Sequence, residues 1–149
     1  MNEEEKKKNL KEAKRSIESG EYEKALSGLN NISTPEDEFL MQSKYAAIFK
    51  LIPLGSLSLK KIRLAILASS TVAHFSDVLR YWLAKEGLMA EIYEAEYNTI
   101  HQTVFNPDSV LYNFKPDITM IFTNYRDVKC DIPPGSSFRP TSPTTRSSA

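Results

Sequence analysis

Few side chains in this chain could do chemistry, and they are scattered. Ser69, Ser70 and Thr71 stand together, with His74 four residues beyond Ser70 and His101 and Cys130 far away. A serine hydroxyl becomes a nucleophile only when a base takes its proton. His74, one helical turn past Ser70, could approach that hydroxyl from the same face of a helix. The simpler reading is that the three short oxygen-bearing residues cap a helix and that His74 and His101 sit on helix surfaces. Two histidines and one cysteine at these separations form no zinc constellation. Glycines at 20, 28, 55, 87 and 135 make neither a phosphate-binding loop nor a dinucleotide fingerprint. Arg63, Arg80 and Arg126 are dispersed, and Arg126-Asp127 reads as a surface loop. No cofactor and no metal is expected.

The stretch that would position Ser69–Thr71 runs from Lys61 to Gly87. Ile62, Leu64, Ala65, Ile66, Leu67 and Ala68 are apolar on both alternating faces, as a strand covered on two sides requires. Val72, Phe75, Val78, Leu79, Trp82 and Leu83 then recur at steps of three and four, the stripe of a helix lying on a sheet. Gly87 stands where such a helix would stop. Leu88–Tyr93 reads as a second strand and Asn98–Phe105 as a helix. Asn106-Pro107-Asp108 opens another turn with Val110, Leu111 and Phe114 inward, and Ile118–Phe122 is a third, buried strand. The order is β-α-β-α-β, so right-handed crossovers predict a parallel sheet of order 2-1-3. The fold class is therefore α/β, a partial three-stranded flavodoxin- or SGNH-like sheet with flanking helices. Its third strand would show an open edge, through which the chain could form a homo-oligomer.

Residues 2–52 carry helical periodicity only. Leu10, Ala13 and Ile17, then Tyr22, Ala25, Leu26 and Leu29, form two apolar stripes broken at Ser19-Gly20. Ser33-Thr34-Pro35-Glu36 predicts the start of a third helix with Phe39, Leu40, Tyr45, Ala46, Ile48 and Phe49 inward. The stretch Ala13–Leu29 resembles a single tetratricopeptide repeat, and its lysine- and glutamate-bearing face reads as solvated. The expected organisation is a helical extension over 1–52, a linker over 53–60, an incomplete α/β domain over 61–130 and a disordered tail over 131–149, rich in Ser, Thr and Pro. The 149 residues carry 19 basic and 19 acidic side chains, so net charge gives no pull toward nucleic acid or an anionic membrane. No apolar run reaches the ~20 residues that span a bilayer. One cysteine and a charged N-terminus suit the cytoplasm.

Four elements together point to a family. Ile66-Leu67-Ala68-Ser69-Ser70-Thr71, Ala90-Glu91-Ile92-Tyr93-Glu94, Asn106-Pro107-Asp108-Ser109-Val110-Leu111-Tyr112 and Phe114-Lys115-Pro116-Asp117-Ile118-Thr119 resemble the N-terminal region of FkbH-like proteins over about residues 60–128. In that family an SGNH-hydrolase-like α/β domain precedes a haloacid-dehalogenase (HAD, type IIIC) phosphatase domain. The resemblance implies a link to loading a three-carbon unit onto an acyl carrier protein in polyketide-type pathways, or to surface-polysaccharide or lipid pathways. HAD chemistry needs Asp-x-Asp after a strand. That pair is absent here, which suggests a piece cut off before the phosphatase domain. An SGNH enzyme has Gly-Asp-Ser after its first strand, and the matching positions are Ala68, Ser69 and Ser70. Its Gly-x-Asn-Asp matches only at Asn124, a donor that could hold an oxyanion. The resemblance thus nominates Ser70 and Asn124 as vestigial catalytic positions. It implies a non-catalytic recognition module with an acyl carrier protein or a HAD-type phosphatase domain as partner. The alternatives are a minimal esterase or acyltransferase using Ser70 with a base supplied in trans, or a truncated gene remnant.

Overall fold

The computed structural model describes residues 2–53, 55–124 and 127. Six helices and three strands follow in order among them: α1 (Glu3–Glu18), α2 (Tyr22–Ile32), α3 (Phe39–Phe49), β1 (Lys60–Ala68), α4 (Ala73–Lys85), β2 (Leu88–Glu94), α5 (Ile100–Phe105), α6 (Val110–Phe114) and β3 (Ile118–Phe122). The strands form one parallel sheet in the order β2-β1-β3, as the crossover rule predicts. In register, Leu64 lies beside Ile92 of β2 and Ile118 of β3, and Ala68 lies beside Phe122. Residues 64–68 are all buried, which explains the unbroken apolar run of β1. The expected tail over 131–149 lies outside the described residues.

The sheet is covered on both faces, by unequal layers. On one, Ala65 and Leu67 meet Leu111 of α6, with Tyr93, Ile100 and Val104 packed around them. The pleat sends Leu64, Ile66 and Ala68 to the other face, under α4. Helix α4 has a second apolar side, where Val78, Tyr81 and Ala84 enter one core with Leu10, Ala25, Leu29, Tyr45 and Ile48 of the three N-terminal helices. The predicted stripe placed Val78 and Trp82 on the apolar side of α4 and missed Tyr81 and Ala84, which enter this core. Tyr81 and Ser76 are fully buried, whereas Phe75 is 37% exposed and meets Phe122 edge-on at 5.3 Å.

Two glycines end helices in the left-handed region, Gly20 (φ 78°) between α1 and α2 and Gly87 (φ 82°) after α4. Other boundaries depart from the sequence reading. Helix α3 begins at Phe39, four residues after Pro35, because Asp37 builds a turn first. Its Oδ2 accepts from the Thr34 N–H at 3.1 Å and the Tyr45 hydroxyl at 2.8 Å, and its Oδ1 pairs with Lys6. Phe39 and Leu40, expected inward, are 57% and 68% exposed as a result. Helix α5 starts at Ile100 rather than Asn98, whose φ of 58° is not helical. Val110, Ile118 and Ile121 are about half exposed at 59%, 48% and 54%, so β3 is less buried than its composition suggests.

Candidate functional site

The C-terminal ends of parallel strands are where open α/β sheets place ligands and chemistry. Here that end holds the turn after β1 and the loop after β3. The Ser69 N–H donates to the Phe122 carbonyl at 3.1 Å, so the parallel pairing runs one residue past β1. Ser69 is 7% exposed. Its hydroxyl donates to Asp127 Oδ2 at 2.5 Å and accepts from Asn124 Nδ2 at 3.2 Å. The same carboxylate oxygen accepts the Asn124 backbone N–H at 2.6 Å, and the Asp127 N–H returns to the Asn124 carbonyl at 3.0 Å. Asn124 and Asp127 thus close a turn over Ser69.

This geometry decides what the group can do. The Asn124 N–H, and then the Ser69 hydroxyl, hold the exposed Asp127 carboxyl below the usual carboxylate range. A carboxylate stabilised in its charged form is a poor proton acceptor near neutral pH. The Ser69 proton is engaged, and an oxygen lone pair faces the Asn124 amide. The cluster fastens the β3 exit loop to the end of β1.

Sequence reasoning nominated Ser70 and Asn124. Asn124 lies in the cluster, whereas its serine partner is Ser69, and Ser70 is exposed beside it in the turn. Two residues on from Leu67, Ser69 keeps the strand's alternation, and Asn and Asp at the i, i+3 spacing of Asn124 and Asp127 are residues that favour a turn. Together those signals could have singled out the pair. The caps expected from Ser69–Thr71 do not form: Val72 holds the N-cap position of α4, with no side-chain hydrogen bond. His74, also exposed, lines a hollow with Ser43, Lys50 and Asp77 on the α3 side. Among the described residues no group of three or more His, Cys, Asp or Glu side chains could hold a metal ion, and Cys130 lies outside them. No described helix is long and apolar enough to cross a membrane.

The motifs that carried the family resemblance hold the fold together. Asn106 Oδ1 accepts from the Asp108 N–H at 3.0 Å, and the Ser109 and Tyr112 hydroxyls donate to the Thr103 and Val104 carbonyls at 2.7 and 2.5 Å, joining α6 to α5. In Lys115-Pro116-Asp117, Lys115 takes the left-handed conformation at φ 51°. Asp117 then exchanges two 2.8 Å bonds with the backbone of Arg63, its Oδ2 accepting from the Arg63 N–H and its own N–H donating to the Arg63 carbonyl. That sets where β3 joins β1. A groove of about 390 Å³ between α3, α4 and β2 has an apolar floor of Phe49, Ile52 and Ile92. At its mouth Asp77 bridges Lys50 at 3.2 Å and Arg80 at 3.1 Å.

Residues 63–129, from β1 past the Asn124–Asp127 turn, match the family model of the FkbH N-terminal domain. Among solved structures, the chain is similar to the N-terminal part of a Bacteroides fragilis protein containing a phosphatase domain, complexed with Mg. Identity is 24% and the TM-score is 0.48, covering 58% of this chain and 21% of that one. No curated protein matches the chain.

Proposed function

We propose, from the match of residues 63–129 to the FkbH N-terminal domain, that the chain acts as a non-catalytic accessory module for a HAD-type phosphatase domain. Its task is to help an acyl carrier protein, or the acyl cargo it bears, reach the phosphatase centre. The observation that carries this reading is the commitment of Ser69, whose hydroxyl donates at 2.5 Å to a carboxylate held in its charged form. A serine nucleophile needs a base of matched pKa aimed at its proton. The Ser69 cluster instead has the features of a fastener, and Ser70 and Asn124 are vestiges of an SGNH-type turn.

The open edge of the sheet supports the accessory role. Strand β3, Ile118-Thr119-Met120-Ile121-Phe122, has no charged side chain, and two of its isoleucines are about half exposed. Natural edges are usually blunted by charge, and an apolar, uncharged one is a template for pairing. The phosphatase domain is the partner that would cover it.

Two measurements on the full chain test the proposal. In calorimetry it should bind a purified acyl carrier protein or a HAD-type phosphatase domain. With short p-nitrophenyl acyl esters, turnover should equal that of Ser69→Ala and Ser70→Ala. Turnover lost in either variant would overturn the non-catalytic reading, and binding to neither protein would overturn the accessory role.

A further inference from the structure

Exposed leucines flank the outer face of helix α3, one near its start and one in the turn after it. Tyr45, Ala46 and Ile48 enter the core, yet Leu40 and Leu51 are 68% and 58% exposed. Leu40, Lys44 and Ala47 follow at steps of four and three, which places them on one line along the helix, and Leu51 stands in the turn just after it. Beside this line α1 runs close, and the two helices enclose a groove of about 350 Å³ lined by Leu10, Ala47, Ile48 and Leu51 with Lys11, Lys14 and Lys44. No acidic residue lines it. Nearby Lys6 and Lys50 pair with Asp37 and Asp77, whereas Lys11, Lys14 and Lys44 form no ion pair among the described residues.

An apolar trough rimmed by three cations selects an occupant with an apolar ridge between rows of carboxylates. We propose that the α1–α3 groove docks an acidic amphipathic helix of a partner protein, its apolar residues at i, i+3 or i+4 and i+7 seated on Leu10, Ala47 and Leu51 and its carboxylates facing Lys11, Lys14 and Lys44. The surface lies outside the segment matched to the FkbH N-terminal domain, so the inference does not rest on the function proposed above.

The test uses the full chain, ¹⁵N-labelled, and a synthetic three-turn helical peptide with a leucine ridge flanked by glutamates. Amide shifts should localise to α1 and α3, and affinity should fall as salt is raised. The triple variant Lys11→Glu, Lys14→Glu, Lys44→Glu should bind this peptide about tenfold more weakly or worse. It should also gain affinity for the same peptide with lysines in place of the glutamates. That swap shows that the variant is folded and that charge sets the choice. Absence of binding, shifts confined to other elements, or affinity untouched by the reversal would overturn the proposal. So would binding to phosphatidylglycerol vesicles without binding to the peptide, or a dimer in sedimentation that the reversal dissolves, since the occupant would then be a membrane or a second copy.

Discussion

Tyr81 and Ile121 are both bulky and largely apolar, yet Tyr81 is wholly buried and Ile121 is 54% exposed. They mark two regions that stabilise themselves in different ways. Around Tyr81, α4 is gripped by three helices. Its ring is 5.8 Å from that of Tyr45 and 6.0 Å from that of Phe49, and its hydroxyl donates to Ser33 Oγ at 2.6 Å. Burial pushes that phenol up to about 12. Lys85 Nζ donates to the Asn30 and Ser33 carbonyls at the C-terminal end of α2, at 3.1 and 2.8 Å, where a cation also suits the helix dipole. Around Ile121 a five-residue edge strand rests on β1, and α5 and α6 are single short turns. The α4 side closes on itself, and the β3 side leaves an uncharged, half-exposed edge.

The largest effect expected on the closed side is that of Tyr81→Ala, about 3–5 kcal/mol in urea unfolding. A loss below about 1 kcal/mol would mean that the N-terminal helices are not seated on α4. Lys85→Met should follow with about 1–2 kcal/mol, since it leaves two carbonyls without their cation.

Asp37 sharpens the comparison through pH. Burial alone would raise its pKa, but the bonds from Lys6, the Thr34 N–H and Tyr45 lower it from 3.8 to about 2. The folded pKa lies below the unfolded one, so the stabilisation is complete above about pH 4 and is lost as pH falls through about 2. It should amount to something on the order of 1–2 kcal/mol, and Asp37→Asn should flatten that acid limb in urea titrations. The smallest stability effect belongs to the open side, where Ile121→Lys should change unfolding by less than about 0.5 kcal/mol. The same substitution should weaken any pairing along β3, seen at high concentration as slower sedimentation of the variant than of the wild type.

The sheet was readable because its signals are local. Residues 64–68 of β1 are apolar on both faces, the strands of a β-α-β-α-β chain have few arrangements, and β3 falls on the predicted Ile118–Phe122. What escaped depended on partners far along the chain. Tyr81 falls outside the α4 stripe although Val78 and Trp82 lie within it, because its burial is set by residues such as Leu29 and Tyr45 far along the chain. The start of α3 was misplaced because Asp37 is claimed by Lys6, 31 residues earlier. At the candidate site a single residue of strand length mattered. Ser69, not Ser70, continues the pairing with β3 and so meets Asn124 and Asp127.

The most direct measurement on the Ser69 cluster is labelling of the intact chain by a fluorophosphonate, read by mass spectrometry. Ser69, whose proton is held by the charged Asp127 carboxylate, and the exposed Ser70 beside it should both stay unmodified across pH 6–9, a window that would bracket any ordinary histidine base (~6.5). Stoichiometric labelling of either serine, abolished by its alanine variant, would contradict the non-catalytic account.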